Sequence, residues 1–170
     1  LLLKMLITNI KKIISNKYSY DHFNEKDLLK FFKFLKKIQN LKFKESFNKQ
    51  INYHGLELRL LELTKKKVFT KKEKNEISRY YLKFNVNLRL KQSYDKFFKK
   101  SSNKNCQCRA YIFLGSVVIK LKNIPNTHKL NCLLKIIDLS YIHFSNLKKF
   151  EKKILKQIVI YVLNDLKNYI

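Results

Sequence analysis

RAYIFLGSVVIKLK, Arg109 to Lys122, is the stretch on which the fold class turns. Gly115-Ser116 suits the centre of a type II′ turn, which takes glycine at its first central position. Ile119 and Leu121 alternate with Lys120 and Lys122, the pattern of a half-buried strand. Pro125 closes the segment. These features predict a β-hairpin at about 109–122. The expected fold is then α+β: mostly helical, with a small antiparallel sheet and a long C-terminal helix. Ala110 to Ile119 is the longest uncharged run and spans 10 residues. A bilayer needs about 20, so no membrane span is expected.

Outward from the hairpin, helical periodicity dominates. Leu3, Leu6, Ile7, Ile10, Ile13 and Ile14 share one face and predict a helix at about 2–15. This reads as the first helix of the mature protein rather than a basic presequence; the absence of an initial Met suggests processing or an unusual initiation codon. Asn24 and Asp27 form a capping-box variant before a helix at about 25–39. LELRLLEL, Leu56 to Leu63, fits either a strand or a helix, with Gly55 marking a turn before it. Thr70 and Glu73 make a full capping box, and Ile77, Tyr80, Tyr81 and Phe84 follow at helical spacing, predicting a helix at about 71–84. NVNLRL, Asn85 to Leu90, alternates. Phe97 to Arg109 reads as a basic loop. A short helix is expected at 128–138, and a long one from a Ser145 cap to the end, about 35 Å in length. The chain reads as one domain over 1–170, with a helical part at 1–40 and a basic α+β part at 41–170.

The charge is lopsided. Lys and Arg number 38 against 12 Asp and Glu, a formal net charge of +26. That far exceeds what solubility asks of a small domain. A chain so charged repels itself unless a polyanion supplies countercharge, and phosphate backbones are the commonest such partner. Part of the lysine excess belongs to a codon bias: one Ala, two Gly, one Pro, four Arg and no Trp mark an A/T-rich gene. The same bias does not deplete Asp and Glu, so the imbalance is read as selected. With few glycines, Asn must take the positive-φ positions. Apolar residues make up 45% of the chain, enough to build a core, so disorder is excluded.

The charge is densest at residues 61–109, with 15 basic and 4 acidic groups. Lys65, Lys66, Lys67, Lys71, Lys72, Lys74, Arg79, Arg89, Lys99, Lys100, Lys104 and Arg109 are therefore the candidate phosphate contacts. Lysines in a first helical turn oppose the helix dipole unless an anion lies nearby, which singles out Lys71 and Lys72. Aromatics interleave with lysines at 31–37, 79–84 and 94–100. Phe31, Phe32, Tyr80 and Phe84 read as core anchors; Phe97 and Phe98 suit either core packing or base stacking.

Catalytic constellations are missing. His22, His54, His128 and His143 sit in no nucleophile or zinc-protease context, two glycines cannot build a phosphate loop, and the acids are scattered. Neither an enzyme nor a small-molecule substrate is expected. Cys106, Cys108, His128 and Cys132 offer an alternative S₃N zinc set, but C-x-C spacing is weak evidence, and ordinary reduced thiols without a cofactor are expected.

A basic, core-forming, A/T-coded chain without catalytic residues resembles the organelle-encoded ribosomal proteins of protists, those of mitochondria above all. The resemblance is one of class and covers composition and charge along the whole chain. It implies a structural constituent of the mitochondrial ribosome, in the matrix, with rRNA and other ribosomal proteins as partners; a plastid is the alternative location. Two other readings stay open: a soluble accessory subunit of an organelle respiratory complex, and an organelle nucleic-acid maturation factor.

Overall fold

The computed structural model describes residues 55–100, 107–122 and 124–166, with Thr8, Lys26, Leu29, Lys30 and Lys33 as isolated positions. Those five are helical and fall within the two predicted N-terminal helices. The remainder of those segments, with Phe31 and Phe32, lies outside the described residues.

Among the described residues there are six α-helices and no strand, so the fold is helical and not α+β. The helices are α1 (Gly55–Thr64), α2 (Lys71–Lys83), α3 (Leu88–Tyr94), α4 (Cys108–Ile119), α5 (Asn126–Tyr141) and α6 (Lys149–Leu166). A π-helical turn, Asp95–Lys99, continues α3, and a 3₁₀ turn, Phe144–Asn146, precedes α6.

The predicted hairpin is α4, the centre of the molecule. Ten of its residues are buried, from Cys108 to Val118, and α1, α2, α3, α5 and α6 all pack on it. A helix wrapped on every side is apolar on every side, so it carries no helical period. Its β-branched residues then mimic strand preference, which tertiary packing overrides. Gly115 is no turn residue. A Cβ there would lie 2.9 Å from Ile158 Cδ1 on α6 and 3.4 Å from Ile136 Cγ2 on α5. Glycine lets the three helices approach closely at that level. Ser116 donates to the Ile112 carbonyl at 3.1 Å, so its hydroxyl is satisfied inside the helix.

The ambiguous LELRLLEL segment is helical, with Leu60, Leu61 and Leu63 buried, and Gly55 is the first residue of α1 instead of a turn before it. At α2 the capping box forms: Thr70 Oγ1 accepts from the Glu73 N–H at 3.2 Å, and Glu73 Oε1 accepts from the Thr70 N–H at 2.9 Å. Asn85 takes φ 50° after α2, one of the left-handed positions expected of Asn. Lys120 closes the same end by donating to the Phe84 and Asn85 carbonyls, both at 2.8 Å. Asn87 Oδ1 then caps α3, accepting from the N–H groups of Arg89 and Leu90. The alternation of NVNLRL is therefore a stop followed by a start. Ser145 lies in the 3₁₀ turn, and α6 begins at Lys149, where Glu151 Oε1 accepts from the Lys148 N–H at 2.9 Å.

Candidate nucleic-acid interface

Most acids of the basic third turn inward; Glu62 stays exposed. Arg59 on α1 donates to Glu76 on α2 at 2.7 Å and lies 3.5 Å from Glu62. Lys66 Nζ is 2.5 Å from Glu73 Oε2, with Arg59 at 3.7 Å from the same oxygen. Hydrogen bonds from Arg59 hold Glu76 below the usual carboxylate range, against the opposing effect of burial. Burial pushes Glu73 up, but Lys66 and Thr70 together outweigh it, and its carboxyl ends below that range. Asp95 is taken by Lys91 at 2.5 Å and by the Ser78 hydroxyl at 3.3 Å. Glu57 is buried, with Lys129 of α5 as the charge beside it. Glu73, Glu76 and Asp95 are thus held within the fold, Glu57 is buried, and Glu62 is paired with Arg59 but stays exposed.

The lysine run between α1 and α2 is held by its carbonyls. Lys135 Nζ donates to the Lys65 carbonyl at 3.2 Å, the Tyr111 hydroxyl to that of Lys66 at 2.9 Å, and Gln107 Nε2 to that of Lys67. The Lys65 and Lys67 side chains stay exposed, and Lys66 folds onto Glu73. α2 buries Glu73, Ile77 and Tyr80. Lys71, Lys72, Arg79 and Lys83 stand exposed on the outward side, around Leu82 at 84% exposure. No ion pair engages these four cations among the described residues.

The other predicted residues divide. Lys74 Nζ lies 4.5 Å over the Phe98 ring, and Lys99 Nζ donates to Ser78 at 3.4 Å, so both lie along the seam between α2 and the π turn. Lys100 is exposed. Arg89 is exposed but stacks 4.5 Å over Phe150, beside the start of α6 and apart from α2. Lys104 lies outside the described residues. Arg109 is buried, its guanidinium 3.0 Å from Glu151 and bonded also to Ser93 Oγ and the Asn146 carbonyl. It braces α4 against α6 and does not join the exposed set. Lys83 falls in the basic-aromatic stretch 79–84 but is not among the predicted phosphate contacts, although Arg79 and Lys83 sit one turn apart on the predicted helix. Lys148, Lys149 and Lys153 also went unnoticed, because the C-terminal quarter is less densely basic.

Of the aromatics, Tyr80 and Phe98 are core, and Phe84 packs against it. Phe98 meets Phe69 edge-on at 5.9 Å and Tyr94 at 5.6 Å. Phe97 is half-buried, with Arg109 at 4.6 Å and Lys148 at 4.5 Å over its ring. Burial and the neighbouring Glu76, to which the Tyr80 hydroxyl donates at 3.3 Å, push that hydroxyl up to about 12.

Cys108, His128 and Cys132 are buried, and Cys106 lies outside the described residues. Among the described residues no three His, Cys, Asp or Glu side chains converge to hold a metal ion. No helix among them is long and apolar enough to cross a membrane. Comparison with family models, curated proteins and solved structures finds no match to this chain.

Proposed function

We propose that the chain is a structural constituent of an organelle ribosome, that of a mitochondrion, holding folded rRNA through the outward side of α2 and touching neighbouring ribosomal proteins. One observation carries the reading: Glu73, Glu76 and Asp95 are drawn into ion pairs within the fold and Glu62 is paired with Arg59, while Lys71, Lys72, Arg79 and Lys83 are left exposed without an acidic partner among the described residues. Had the charge served solubility alone, acids would be interspersed among these lysines. A face of one sign attracts a polyanion and releases its condensed counterions on contact. Lysine is a compact point charge, and such contacts position a protein on a backbone without reading sequence. The A/T-coded composition supports the organelle, and the charge supports rRNA as the partner.

The test is sedimentation from an organelle extract. The protein is expected to travel with ribosomal particles and to leave them at high salt but not in non-ionic detergent. Release by detergent at low salt would place it on a lipid surface, as an accessory respiratory subunit, and refute the proposal.

A further inference from the structure

A second cationic surface lies at the start of α6. Lys148, Lys149 and Lys153 are exposed there, with exposed Arg89 stacked on Phe150 and exposed Lys96 on the adjoining π turn. Glu151, the one acid in that turn of α6, is wholly buried against Arg109 and Ser93. The surface therefore repeats the arrangement of α2: the acid is consumed inside and the cations remain outside.

The two surfaces look in different directions. The α3–π segment lies between them. On one side Asp95, Tyr94 and Phe98 meet α2, through Ser78, the Lys74 carbonyl and Lys74 Nζ. On the other, Arg89, Ser93 and Phe97 meet Phe150, Glu151 and Lys148. At 100° per residue, Lys72, Arg79 and Lys83 fall on the side of α2 opposite Tyr81, while Lys71 falls on the side of Ser78. The seam holds the Lys91–Asp95 pair, with Lys74 over the Phe98 ring and Lys99 on Ser78.

We infer that this second surface grips a separate phosphate backbone, so that one molecule bridges two RNA segments. The inference rests on the RNA reading of α2. Arg89 is suited to it: its guanidinium lies over the Phe150 ring and stays exposed, and a planar fork of donors matches phosphate.

The test uses two hairpin RNAs, one biotinylated on beads and one fluorescent, with full-length protein at limiting concentration. Wild type is expected to capture the fluorescent RNA. Lys148→Gln/Lys149→Gln/Lys153→Gln should bind bead RNA within about three-fold of wild type, yet lose capture of the second RNA by about ten-fold or more. If that variant fails to fold, Lys149→Gln/Lys153→Gln, which keeps Lys148 on Phe97, replaces it. Undiminished capture by the folded variant overturns the inference. Wild type that holds bead RNA but captures no second RNA overturns bridging alone. Wild type that holds no bead RNA overturns the RNA reading, and the inference with it.

Discussion

At Gly115, α5 and α6 both press close on α4. The nearest atom to an added Cβ, Ile158 Cδ1 at 2.9 Å, is the movable end of a side chain. Alanine in mid-helix also gains about 0.5–1 kcal/mol over glycine, so Gly115→Ala should leave stability within about 1 kcal/mol of wild type. Gly115→Leu should cost roughly 1–3 kcal/mol by overpacking. Chemical denaturation distinguishes the two. Arg109 and Glu151 are a second test, with side-chain exposures of 5% and 0%. Arg109→Met strands a buried carboxylate and should cost about 3–5 kcal/mol, whereas Arg109→Met/Glu151→Leu should recover much of that loss. A double-mutant cycle measures the difference. Glu73 and Glu76 set the response to acid. Both titrate below their ordinary value of 4.5 in the fold. Their contribution is therefore present above that value and is lost as pH falls through their lowered folded values. The melting temperature of wild type should drop on acidification in that window, and Glu76→Gln should flatten part of the drop.

α2 is the element where local signals agree. Its capping box, its apolar spacing and its burial all mark the same boundaries, and the helix forms at Lys71–Lys83. Thr70→Ala should cost about 1 kcal/mol through loss of the cap, read by thermal unfolding. α4 is the opposite case. Periodicity reports a boundary between core and water, and a helix at the centre of the core has no such boundary. Ala110 to Ile119 therefore offered only residue preference and a Gly-Ser pair, and both pointed to a hairpin. Length was the better clue, since ten uncharged, mostly apolar residues suit a buried helix more than a strand. The same limit applies to the site. The lysines of α2 are legible because charge density is local in sequence. Arg109 is not, because Glu151, 42 positions away, decides its fate. Nor is the surface at α6, which three elements assemble.

At the scale of the whole molecule, charge and architecture answer each other. Drawing Glu73, Glu76 and Asp95 into the fold leaves the lysines of α2 as an outward face of one sign. On the proposed reading, a polyanion relieves the self-repulsion of a chain with a net charge of +26. The salt dependence of RNA affinity tests this most directly. Wild type is expected to show a steep linear fall of log K with log salt. Lys71→Gln/Lys72→Gln/Arg79→Gln/Lys83→Gln should bind more weakly at low salt, with a slope shallower by about 3–4, roughly 0.7–0.9 for each of the four phosphate contacts removed. Equal affinity and an unchanged slope in the folded variant would contradict the account.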